Sequence, residues 1–185
     1  MPISPHYKRL LEGHALTLRN KVNAGYFGRL DPFLLADKMG MEVHFVGPDS
    51  GLPEDLLERA LGQSGSKWDA GTIKFPDGRI RVFMNPKKLK ERQHATLMEE
   101  VSHIHLGHKP TEIVQCEGIA FRTCNKSHES QAYWLGATAL LPERLLKGSI
   151  TRGLTVEDVA SEHQVSVDLV RFRCNVLGLK IALAA

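Results

Sequence analysis

Residues 94–108, His-Ala-Thr-Leu-Met-Glu-Glu-Val-Ser-His-Ile-His-Leu-Gly-His, constrain the fold of this chain more than any other stretch. On a helix, side chains at i and i+4 lie about 40° apart in azimuth, so Glu99 and His103 share a face. Glu100 follows the first of them, within reach of a water held between the two. This is the spacing of a metal-binding helix, with a glutamate where His-Glu-x-x-His has its first histidine. Gly107 and Pro110 end the helix. Ahead of it, Thr72–Phe75 and Arg79–Met84 read as strands joined at Pro76-Asp77-Gly78, and Asn85-Pro86 reads as the helix cap. A hairpin that feeds a metal-type helix leaves few folds open.

The remaining elements follow from periodicity and punctuation. Residues 6–23 form an amphipathic helix broken by Gly25 and Gly28. Asp31-Pro32 starts a second helix that Gly40 ends. Met41–Val46 alternates as a strand, stopped by Gly47-Pro48. Pro53–Leu61 reads as a short helix and Gln63–Ser66 as a loop. Residues 109–125 carry little pattern. Ser127–Leu141 is the next long helix, and Pro142 opens a turn or a short helix. Thr155–His163 and Ser166–Leu177 close the chain as two helices joined at Gln164-Val165. The expectation is an α+β fold, with a helical body on a small antiparallel sheet. The main body spans 1–150, and a helix-turn-helix-like pair at 151–185 packs on it.

Composition narrows the setting. A net charge of +3 over 185 residues does not by itself call for nucleic acid. Three cysteines, Cys116, Cys124 and Cys174, form no dense framework and suggest reduced thiols. The N-terminus has no apolar signal region, and no apolar run approaches the roughly 20 residues that cross a bilayer. A cytoplasmic protein is expected. Cys116, Cys124 and His128 lack a tight Cys-x-x-Cys hook, which argues against a structural zinc there.

A helix pair of ligands needs a third, and Glu129 on the next long helix is the candidate. Taken together, Thr96-Leu97-Met98-Glu99-Glu100-Val101-Ser102-His103-Ile104-His105-Leu106-Gly107-His108 and Glu129-Ser130-Gln131-Ala132 through Leu140-Leu141-Pro142 resemble the paired motif of the ImmA/IrrE-type metallopeptidases. The resemblance extends over most of residues 30–142. It implies a zincin-like fold, with Glu99, His103 and Glu129 as metal ligands and Glu100 as general base. It also implies a protein substrate, typically a DNA-binding repressor in a stress or mobile-element switch. Two positions depart from the pattern: Glu99 replaces a histidine and Gln131 replaces an acid.

The first departure changes the chemistry. Two carboxylates and one neutral imidazole cancel the charge of a divalent ion, where two imidazoles and one carboxylate leave it positive. A less positive centre acidifies water less and shifts preference from Zn2+ toward harder ions such as Mn2+ or Fe2+. The competing reading is a peptidase-fold protein that binds a partner without cutting it. A third reading is DNA binding through 155–177, where Arg171 and Arg173 would meet phosphates or bases. His105 lies about 200° round from His103 and cannot share its face. His108 follows the helix end as a substrate-binding or structural residue.

Overall fold

The computed structural model describes residues 4–50, 54, 69–109, 112–116, 119–123 and 125–182. The expected helix over Pro53–Leu61 lies, but for Glu54, outside the described residues, as does the loop over Gln63–Ser66. So do the side chains of Cys116 and Cys124.

The chain opens with α1 (Pro5–Asn20), whose first turn is capped by the Ser4 hydroxyl accepting from the Tyr7 amide. The Asp31 carboxylate caps α2 (Pro32–Lys38), accepting from Phe33 and Leu34 with proline at the first helical position. Then come β1 (Met41–Phe45), β2 (Ala70–Lys74) and β3 (Ile80–Met84). The strand order is β1-β3-β2. β2 and β3 form the expected antiparallel hairpin, with Ala70 opposite Met84 and Lys74 opposite Ile80.

The sheet is mixed rather than antiparallel, because β1 runs parallel to β3, Met41 opposite Ile80 and Phe45 opposite Met84. A non-local pairing of this kind leaves no turn signature in the sequence. It also makes β3 the central strand, paired on both sides. Among the described residues, the outer strands of this sheet are β1 and β2.

The site helix, α3, spans Lys90–His105, and its N-cap is Leu89, not Asn85. Asn85 is buried and uses its side-chain oxygen to accept from the Lys87 amide, so Asn85-Pro86 makes a separate turn ahead of the helix. Gly107 ends α3 at a φ of +65°, a conformation that glycine adopts without strain. A second antiparallel hairpin, β4 (Glu112–Cys116) and β5 (Ile119–Thr123), occupies the weakly patterned region.

The helices α4 (Lys126–Leu140), α5 (Glu143–Thr151), α6 (Val156–His163) and α7 (Val167–Leu177) complete the body. α6 starts with a capping box between Thr155 and Asp158. Gln164 turns the chain into α7 in the left-handed region, φ 53°.

α3 and α4 share the core. Leu97, Met98 and Val101 on α3 and Leu135 and Ala139 on α4 are fully buried, joined by Leu11, Ala15 and Leu18 of α1. Burying each leucine contributes about 1.5–3 kcal/mol. The two helices cross closely at Gly136, where an added Cβ would lie 3.2 Å from the backbone of Met98. That approach brings the start of α4 beside the ligand face of α3.

Two buried arginines tie the ends of the chain into this core. Arg19 donates to the carbonyls of Gly25, Gly28 and Ala139. Arg173 donates to the Leu141 carbonyl at 3.0 Å and to Glu12 at 3.2 Å. The Glu12 carboxylate also accepts from the Glu143 amide at the start of α5.

Candidate metal centre

The face of α3 that carries Glu99 and His103 looks toward the first turn of α4. Asn125 caps that turn by accepting from the His128 amide, which sets Glu129 one position further on. His103 Nε2 and Glu129 Oε2 lie 3.4 Å apart. His103 is 9% exposed, whereas the Glu129 side chain is 48% exposed, so the pair sits at the mouth of a buried face.

Glu99 and Glu129 line one cleft of about 290 Å³ with Ser130, Tyr133, Trp134 and Phe172. Burial first, and then the charges of Glu100 and Glu129, raise the Glu99 carboxyl to about 7; Arg92 offsets this only in part. Tyr133 is raised as well, by burial and by the charge of Glu99. Glu100 points toward the sheet, where the Thr72 hydroxyl of β2 donates to its Oε2 at 2.6 Å.

These donors can be tested against a divalent ion. Two ligands each about 2.0–2.2 Å from a tetrahedral centre lie roughly 3.3–3.6 Å apart. His103 and Glu129 meet that requirement. The electrostatics are compatible, since burial, and then the charges of Glu100 and Glu129, raise Glu99 to about 7, and a cation beside it would favour its charged form. The third donor is the shortfall. Among the described residues, no group of three or more His, Cys, Asp or Glu side chains is gathered closely enough to hold an ion. Glu99 lines the same cleft as Glu129.

The sequence profile of the IrrE N-terminal-like domain, Peptidase_M78, matches residues 56–175, well over half of the chain. The chain belongs to this peptidase family. One solved structure with a similar fold is a Mycobacterium tuberculosis transcriptional regulator. It matches with a TM-score of 0.51 at 14% identity, over 90% of this chain and 47% of that one. The chain thus spans about half the length of that regulator, and the likeness concerns the fold alone. No curated protein sequence matches significantly.

Within the M78 framework, two residues given little weight from sequence gain a place. His108 Nδ1 lies 3.1 Å from His103 Nδ1, and His108 Nε2 lies 3.0 Å from Gln131 Oε1. The signal for both was register. Gly107 turns the chain back so that His108 returns beside His103, and Gln131 is two positions past Glu129. His105 points away from this face and meets His14 of α1, ring nitrogens 3.0 Å apart. His128 stacks on His108 at 4.3 Å between centroids.

The C-terminal helices present less cationic surface than their sequence suggests. Arg173 is 1% exposed and bonded inside the body. Arg171 is exposed but lies 3.6 Å from Glu157 and 3.9 Å from Asp168. Of the two arginines expected to meet phosphates, Arg173 is therefore committed to the core, while Arg171 stays at the surface. No helix among the described residues is long and apolar enough to cross a membrane.

Proposed function

We propose that this chain is a metal-dependent endopeptidase-like protein that acts on a regulatory protein, with a DNA-binding repressor as the substrate class. The observation that carries this reading is the His103–Glu129 pair at 3.4 Å, presented by two helices that both lie within the M78 match. His103 and Glu129 would hold the ion, with Glu99 completing the set in a zincin-like arrangement. Zn2+, Mn2+ and Fe2+ are the candidate ions. When bound, such an ion polarises a peptide carbonyl and acidifies water.

The protein's own groups do the rest. Glu100 takes the proton of the attacking water and hands it to the leaving amine. The Thr72 hydroxyl occupies Oε2 of Glu100 and holds the carboxylate in one orientation. Tyr133 and Trp134 wall the cleft on the side of α7. Residues 1–150 supply the peptidase-like body, and 151–185 form the extension packed on it. A cytoplasmic setting suits the buried free thiol of Cys174.

The test is metal content followed by cleavage. Protein equilibrated with each ion and dialysed is expected to retain one equivalent of one of them. His103→Ala and Glu129→Ala should lose it. Glu100→Gln should keep the ion and lower cleavage of a repressor at least about 100-fold.

A second reading takes up the shortfall of a third gathered ligand among the described residues. In that reading the framework binds its partner without cutting it. Wild-type protein that retains no ion under any of these conditions, yet binds the repressor equally well in chelator, would establish it and remove the first.

A further inference from the structure

Leu89 stands where a leucine serves the fold least. It is the N-cap residue of α3, its side chain makes no cap, and it is 78% exposed. Ser, Thr, Asp and Asn suit that position because their side chains accept from first-turn amides, which leucine cannot do. A local rule broken without a structural return points to a functional demand on the side chain. Leu89 lies outside the buried cluster, but it lines a groove of about 980 Å³ between the start of α3 and the turn from α6 to α7.

Tyr133 is a second exposed apolar side chain of this groove. It also lines the smaller cleft of Glu99 and Glu129, so the two adjoin at its ring. Ala95, Val165 and Leu169 give the groove an apolar floor. Its walls are helices and one turn, with no strand among them. An extended peptide pairs its backbone along a strand edge, and this groove has none to give. The turn's own groups are engaged, since the Gln164 carbonyl accepts from His94 and the Val165 amide donates to Ala160. An occupant must therefore satisfy its own backbone, as an α-helix does. The rims differ in sign: Lys90 and Arg92 outnumber Glu91 on the α3 side, and Glu157 and Asp168 stand on the α6–α7 side.

We propose that this groove docks an amphipathic helix of the protein partner. Its apolar stripe rests on Leu89 and Tyr133, with acidic residues along one flank and basic residues along the other. The inference rests on the reading of the neighbouring cleft as the place where a regulatory protein is engaged, and it needs no ion there. Docking sets the partner's register, so the segment that leaves the helix past Tyr133 is the one presented to Glu99 and Glu129.

The probe is a phage-displayed library of unbiased linear peptides of about 16 residues, long enough to form a helix on binding. Binders are selected on the wild-type chain in chelator and then synthesised. They are expected to share apolar residues at i, i+3, i+4 and i+7 and to become helical when bound. Leu89→Ser removes the apolar lip, and Ser161→Arg fills the groove from an exposed lining position. Each should weaken binding at least about tenfold. Leu10→Gln, at an exposed apolar position outside the groove, should not. Because serine caps α3, the thermal midpoint of Leu89→Ser should equal or exceed that of wild type, which separates lost binding from lost folding.

A library that yields no binder, binders without the stripe, or binders held equally by wild type and both groove variants overturn the proposal. If the groove variants cut a repressor at the wild-type rate, the groove fails and the peptidase reading stands. If peptides seat in the groove of a protein that retains no ion and cuts nothing, the peptidase reading fails and the groove stands.

Discussion

His94 and His163 are buried histidines held neutral, and both weaken the fold as pH falls. Burial lowers both below the ordinary imidazole value. His94 rests on the Gln164 carbonyl at 3.0 Å, with Asp31 favouring its charge and Lys90 and Arg29 opposing it. His163 faces Glu162 but also Arg19, Arg152 and Arg29. The unfolded chain takes up protons near pH 6.5 while the folded protein does not, so the stability these residues allow is complete above that pH. It is lost as pH falls toward the lowered folded values. Each unit of separation is worth about 1.4 kcal/mol. Glu99, raised to about 7, acts in the opposite sense over the same window, so the histidine share is read by difference. As pH falls from 7.5 to 5.5, the urea midpoint of His163→Leu should rise relative to that of wild type.

Arg173 makes a second case at this scale. Replacing it with methionine takes the buried donor away from the Leu141 carbonyl and leaves the half-buried Glu12 carboxylate to the Glu143 amide. The expected loss is about 3–5 kcal/mol, visible in thermal unfolding. The ligand and base candidates were legible because spacing on a helix is legible. The burial of Arg173 was not, although it stands four residues after Leu169 on the apolar face of α7. Periodicity locates a face but cannot tell a buried cation from one that reaches past the core to water.

Elements were readable where caps and breakers are local. Asp31-Pro32, Gly107, Thr155 and Ser166 all mark true helix ends. Asn85-Pro86 misled because an Asn side chain serves a turn as readily as a helix start. The parallel β1–β3 pairing depends on residues about forty positions apart, and no local signal reports that. The crossing of α3 and α4 is the element on which the site depends, and Gly136 sets its closeness. Gly136→Ala gains about 1 kcal/mol of helix preference but loses about 1–3 kcal/mol to overpacking against Met98. The expected outcome is a net loss of about 1 kcal/mol in urea unfolding. Metal affinity should weaken more than stability, because Glu129 moves away from α3 with its helix.

At the scale of the whole molecule, the boundary expected near residue 150 separates two parts that share one core. Val159, Leu169, Val170 and Cys174 belong to the same buried cluster as Leu97 and Leu135. The turn between α6 and α7 is held from outside by His94 and by the Arg29 guanidinium on the Gln164 side chain. A protein truncated after Ile150 is expected to lose cooperative unfolding altogether rather than persist as a free peptidase body. Calorimetry of the two lengths would decide this.

The arginine and carboxylate that tie α1 down have a temporal side. Arg19 awaits a carbonyl 120 positions later, and Glu12 a guanidinium 161 positions later. At synthesis rates of about 5–20 residues per second, the first helix spends roughly six to twenty-five seconds beyond the ribosome's peptidyl-transferase centre with neither partner made. Nascent chains arrested before Arg173 emerges should be cut readily by protease within residues 5–20, and become resistant there only on release.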